Sequence, residues 1–366
     1  MRCFAGLGLL LFIGCDPGPP RTTGQWTEEA PVHAEAFTVL RRNDQRRIIV
    51  FGPGGRSDTA GTYDLGEAAK GLPAADAVLK APLERMVLLS TTHASYLADL
   101  GQVATIAGMA EVERVREPEV RAALDAGSIR NVGGEAGLDR ELVVSLAPEA
   151  VLAYPFGREA LALPPDGAAP VVQVAEYLEH HPLGRAEWLR FFGLLTGTEE
   201  LADSLFRRTE ARYERQVVGS NDGPSVFFGS AWQGTWWVPS GRSHMATLLR
   251  DAGARPLFAD STGADNVAVD LERLLVEGRD ADAWGMVVEV HGQPGPTPSD
   301  LALHDTRLLA LPVFTKGVLF AANSATSDLF GRALLEPDVQ LQDLVCLFHP
   351  ERCGAHQPVY FRKVAQ

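Results

Sequence analysis

Trp232, Trp236 and Trp237 fall within six positions, among Gly, Gln, Thr and Pro, in a stretch that reads as a loop. Rigid aromatic faces with a few polar anchors suit large planar or macrocyclic ligands. The competing reading is a small satellite core, because Trp is usually buried. Arg242, flanked by Ser240 and Ser243, offers a cation to a ligand carboxylate or catecholate; a solvated surface Arg accounts for it equally well. Tyr154 and Phe156 end an apolar run that reads as a strand, and α/β sheets bind ligands at such strand ends.

Catalytic signatures are missing. The chain contains no G-x-S-x-G, no G-x-x-x-x-G-K-[ST] and no H-E-x-x-H, the patterns that place a nucleophile, a phosphate loop or a catalytic zinc. Gly52-Pro53-Gly54-Gly55 reads as a turn. His180 and His181 are adjacent, but neighbours on a helix point about 100° apart and rarely share one ion. His291, His304, His349 and His356 show no ligand spacing, so no metal and no cofactor is expected. Cys346 and Cys353 flank a His-Pro turn. In an oxidising compartment they form a disulfide, or Cys346 remains a free core thiol.

These groups have to be positioned by α/β elements. Short alternating runs at 37–40 and 47–51, separated by Arg42-Asn43-Asp44, predict a β-hairpin within a small β appendage at 36–80. From Arg85 the pattern becomes strands at 86–90, 105–108, 151–154 and 171–174, with helices at 95–100, 118–126 and 141–146 between them. Such β–α repetition predicts a parallel sheet with helices on both faces. Residues 199–218 run without Gly or Pro behind a Thr198 N-cap and Glu199-Glu200, which predicts one long helix. A second β–α lobe starts at Ser225. The expected fold is α/β: two doubly wound lobes, at 84–197 and 224–350, joined by a linking helix at 198–218, with a tail at 351–366.

Composition fits a globular chain. The 366 residues carry 33 Lys+Arg against 47 Asp+Glu, a formal net charge of −14, which argues against nucleic acid. Hydrophobic residues make up 46% and charged residues 22%, so the chain can bury cores and is not disordered. At the amino terminus, residues 5–14 form an apolar stretch far shorter than the ~20 residues that span a bilayer. Phe12-Ile13-Gly14-Cys15 follows and resembles a bacterial lipobox, with Phe12 in place of the usual Leu. Residues 1–15 then act as a signal peptide, Cys15 carries lipid, and 16–35 form a Pro/Gly-rich tether. The expected protein is exported and held at the periplasmic side of the cell envelope by lipid alone.

Several segments, in order, resemble the helical-backbone class of ABC-importer substrate-binding proteins, the ferric-siderophore and cobalamin group. They are Arg85–His93 (RMVLLSTTH), Val132-Gly133-Gly134 with 139–149, residues 176–188 (EYLEHHPLGRAEW), residues 237–245 (WVPSGRSHM) with 251–254, and residues 336–350. The resemblance implies a monomeric, non-enzymatic protein that binds a ferric siderophore or related iron chelate and delivers it to an ABC permease and its ATPase. Cobalamin or another corrinoid and haem are the alternatives within that group. An α/β hydrolase is the rival from another class, and a ligand-free lipoprotein scaffold a third. The resemblance places Thr91, Thr92 and His93, Tyr154 and Phe156, the tryptophan stretch, and Asn323 at the cleft.

A faint internal echo completes the reading. Asp139-Arg140-Glu141 and Asp270-Leu271-Glu272 each open a predicted helix that leads through an acidic turn to a strand. Plain helix-start acids explain both. The resemblance implies a further role, since the family uses one glutamate per lobe to meet permease arginines, here Glu141 and Glu272.

Overall fold

The β appendage is a five-stranded sheet in the order β1 (Thr27–Glu29), β2 (Phe37–Arg42), β3 (Gln45–Gly52), β4 (Gly55–Leu65) and β5 (Ala77–Leu79). The β2–β3 hairpin turns at Asn43-Asp44, where Asn43 adopts a left-handed φ of 54°, a conformation Asn tolerates well. The chain is described by a computed structural model covering residues 24–134, 137–154, 169–219, 222–232, 235–263, 265–292, 295–303 and 305–365. Cys15 with its lipobox, Phe156 and His304 lie outside the described residues, as does the side chain of Trp232.

In the first lobe, β6 (Met86–Leu88) is followed by α1 (Thr92–Asp99), β7 (Ile106–Met109), α2 (Pro118–Asp125) and the short β8 (Arg130–Asn131). A small ribbon of β9 (Gly133–Gly134) and β10 (Gly137–Leu138) leads to α3 (Arg140–Ser145), β11 (Ala150–Ala153) and β12 (Val171–Gln173). The sheet order is β12-β11-β6-β7-β8, parallel throughout. Its strands read as apolar runs because both faces are covered. Val87, Val143 and Val151 pack on one side. On the other, Met86, Leu88 and Leu152 share a core with Phe37, Ile48 and Tyr63 of the appendage. The appendage is fastened to the lobe by Tyr63, whose hydroxyl accepts the Gln173 N–H at 2.8 Å, and is tied within its own sheet by the buried Arg47–Asp64 pair.

Two helices follow. α4 (Pro182–Thr196) is buried nearly all round and ends at Gly197 with φ 69°, where a residue without Cβ turns the chain freely. α5 (Glu199–Gln216) then runs back against α4 and α10 (Pro337–Phe348). The lobes are thus connected by α5, with α4 alongside. The Thr198 hydroxyl meets Thr196 rather than capping α5.

The second lobe is built from β13 (Ser225–Trp232), β14 (Thr235–Pro239), α6 (His244–Asp251), β15 (Arg255–Pro256), β16 (Asn266–Val269), α7 (Leu271–Glu277), β17 (Ala283–Val288), α8 (Pro298–Leu301), α9 (Val313–Lys316), β18 (Val318–Asn323), α10 and β19 (Phe361–Lys363). Its sheet runs β16-β14-β13-β17-β18-β19, with β15 also on β13. The segment expected as a tail returns as β19, antiparallel to β18. Two features draw it in. Phe361 and Val364 are buried, and the fully buried Asp343 accepts the N–H groups of Val359, Tyr360 and Phe361. Cys346 and Cys353 form a disulfide. Leu334 and Leu335, from the turn before α10, insert into the core of the first lobe and pin the two lobes together.

Candidate ligand-binding cleft

A cavity of about 410 Å³ opens between the lobes. One wall comes from the turn at Glu176–Leu178, beyond the carboxyl end of β12, and from the first turn of α4. Tyr177 and Arg185 face the cavity from there. The other wall is a sheet face of the second lobe, carrying Phe228 and Trp237, with His244 at the start of α6 and Phe330 in the loop after β18. Pro182 at the first helical position and the His181 Nδ1, which accepts the Leu183 N–H at 3.1 Å, start α4 at this point. Ser243 caps α6, accepting the Ala246 N–H.

Polar groups in the cleft are unevenly satisfied. Arg185 donates through Nη2 to the Tyr177 carbonyl at 3.2 Å, while its Nε is sealed from solvent with no partner in the protein. Trp237 Nε1 is in the same condition. Burial lowers the Arg185 pKa, and the neighbouring Glu176 carboxylate opposes that shift. Glu176 is itself buried and raised by burial, with Oε1 accepting the Thr92 hydroxyl at 2.7 Å. Burial, with Glu176 and Asp265 nearby, pushes Tyr177 up to about 12. His244 is driven well below the usual imidazole range by burial, then by Arg185 and His181, so it stays neutral. Behind the wall, Glu179 accepts N–H groups from Glu35 and Ala36 and from Trp188 Nε1; burial still pushes it up to about 7.

The residues singled out in the sequence are divided among several places. Trp237 lines the cleft. Trp236, the next residue along β14, points to the opposite face, is 3% exposed and packs on Phe227 and Trp284 in the core. His93 is fully buried, 5.9 Å from the Phe192 ring, and reaches no ligand space. Thr91 precedes α1 and Thr92 bonds to Glu176, so this loop supports the cleft wall without lining it. Tyr154 and Arg242 are exposed and stand outside the cavity lining. The Asn323 amide is spent on backbone: Nδ2 donates to the Val290 carbonyl at 2.8 Å and Oδ1 accepts the Val290 N–H at 3.0 Å. Glu141 and Glu272 are exposed in the first turns of α3 and α7, behind N-caps Asp139 and Asp270, which accept the N–H groups of Leu142 and Arg273.

Tyr177, Arg185, Phe228, His244 and Phe330 were not singled out as ligand residues from the sequence. A usable signal existed for Arg185, a charge in a run that is otherwise largely apolar.

The buried imidazole has a measurable consequence. Burial holds His93 down to about 3, whereas an unfolded His binds its proton near 6.5. The unfolded state therefore takes up protons first, and the stability contributed by neutral His93 is lost as pH falls from 6.5 toward 3. Glu179 works in the opposite sense, favouring the folded state below its unfolded value and losing that contribution as pH rises through about 7. Urea titrations of wild type and His93→Leu at pH 7 and pH 4.5 separate the two. The variant is expected to lose less stability on acidification than wild type; equal losses contradict the assignment.

Comparison with known proteins follows the same outline. Residues 86–289 match the family model described as periplasmic binding protein. An uncharacterized lipoprotein of Methanocaldococcus jannaschii is 22% identical over 297 residues, covering 78% of this chain and 70% of the relative. A periplasmic binding protein from Veillonella parvula superposes with a TM-score of 0.58 at 14% identity, over 74% of this chain and 93% of that one. A periplasmic heme binding protein from Pseudomonas aeruginosa gives 0.57 at 17%, over 78% and 99%. At these identities the structural likeness is one of fold.

Proposed function

The chain belongs to the periplasmic binding protein family, and on that footing we propose that it captures a ferric siderophore or related iron chelate between its lobes and passes it to an ABC permease. The observation that carries this reading is one interlobe cavity in which the Arg185 cation stands among three aromatic side chains, Phe228, Trp237 and Phe330. The Arg185 guanidinium offers charge-assisted hydrogen bonds to ligand oxygens. Phe228, Trp237 and Phe330 supply the flat apolar contacts. Haem and corrinoids share the need for aromatic walls and form the second reading. Of the two serines that line the cavity, Ser230 and Ser243, the Ser243 hydroxyl is engaged in capping α6.

The test is thermal unfolding of the unlipidated chain against ferric chelates, cobalamin and haem. A true ligand at a hundred times its Kd stabilises by about 2.7 kcal/mol. No shift with any of them rejects the reading.

Delivery rests on two further proposals. Among the described residues no helix is long and apolar enough to cross a membrane, and lipid on Cys15 is the proposed anchor. Cys15→Ser is expected to yield a soluble product; persistence in the detergent phase on membrane partition rules the anchor out. Glu141 and Glu272, one exposed carboxylate per lobe at matching helix starts, are the proposed contacts to basic pockets of the permease. Glu141→Lys/Glu272→Lys is expected to bind ligand normally and to lose uptake, because like charges across an interface repel. Normal uptake by the double variant sinks the docking role.

A further inference from the structure

We infer that the chelate taken by this cleft carries little net charge, neutral or singly anionic, and that a trianionic chelate is rejected. This rests on the ligand-capture reading above and narrows it to a substrate class.

The inference comes from counting charges around the cavity. Among the described lining residues Arg185 is the one fixed cation, and the exposed Asp265 carboxylate at the rim matches it. Glu176 stands close enough to Arg185 to act on its charge. The imidazoles do not redress the balance: His244 is kept neutral by burial beside Arg185, and His180 lies 3.5 Å from the Glu35 carboxylate. Arg242, the nearest further cation along the chain toward α6, is outside the lining. By composition, residues 155–168 hold one basic residue, Arg158, and two acidic ones, Glu159 and Asp166, so they add no cationic surplus. The chain as a whole carries a net charge of −14, which repels anions at longer range.

A trianion entering this space therefore meets a single guanidinium, already offset by the Asp265 carboxylate. Like charges brought together at a desolvated contact repel one another. A neutral chelate avoids that repulsion. It needs only acceptor oxygens for the Arg185 guanidinium and apolar surface for the aromatic walls.

The experiment is a fluorescence titration of the unlipidated full chain with a neutral ferric trihydroxamate and a trianionic ferric tris-catecholate, each at low and at physiological salt. The neutral complex is expected to bind at least about a hundredfold tighter. Asp265→Asn/Asn266→Arg, two exposed positions at the cleft rim, is expected to narrow that ratio about tenfold. Equal or tighter binding of the trianion by wild type overturns the charge class while leaving ligand capture standing, and so does a ratio that the double variant does not move. Failure to bind either chelate overturns the ferric-chelate reading itself, and the charge class with it.

Discussion

Glu187→Ala is expected to lower the unfolding free energy by about 3–5 kcal/mol. Glu187 is fully buried in α4, and its carboxylate accepts the N–H groups of Val32, His33 and Ala34 at 3.0, 2.7 and 2.9 Å and pairs with Arg190. Truncation removes the acceptor of all three donors and leaves the Ala34 N–H unpaired in a buried place, where an orphan costs more than the bond contributed. The same stretch of chain continues to Glu35 and Ala36, which bond to Glu179, so residues 32–36 strap the appendage to the helix that floors the cleft. Urea denaturation reads the effect directly. A loss below about 1 kcal/mol, the range of an ordinary exposed substitution, means that the strap is not held as described.

The second large effect concerns binding. Trp237→Ala is expected to weaken ligand affinity by about 2 kcal/mol or more, near thirtyfold, as truncation of a central aromatic anchor does. Its neighbour supplies the contrast. Trp236 lies in the core against Phe227 and Trp284, so Trp236→Ala is expected to cost stability first. Calorimetric titration and thermal melts of the two variants distinguish them. Unchanged affinity in Trp237→Ala removes the aromatic wall from the site.

Much of the fold could be read along the chain because period and punctuation agreed there. The parallel strands from Met86 to Gln173 are apolar runs bounded by turn residues, and α5 has a polar face and an acidic first turn. α4 escaped as a separate helix because it is buried on almost every side, which leaves no amphipathic contrast to detect. β19 escaped because three residues paired at a sheet edge carry little pattern of their own; Asp343, far back in the chain, decides where they go. The candidate site was legible only in part. Trp237, singled out from its cluster, lines the cavity, yet the same cluster includes Trp236, and strand alternation separates the two only once the register of β14 is known. The resemblance placed His93 at the cleft, but α1 starts at once and turns it inward against Phe192. Arg185 and Tyr177 reach the cavity through the crossing between lobes, a long-range arrangement that local spacing does not encode.

The measurement that bears most directly on ligand capture is metal-edge anomalous diffraction from crystals of the unlipidated chain grown with the chelate that stabilises it best. The account predicts one anomalous peak in the interlobe cavity, between Arg185 and Trp237. A stoichiometric metal peak elsewhere on the protein, with that cavity holding none, contradicts it.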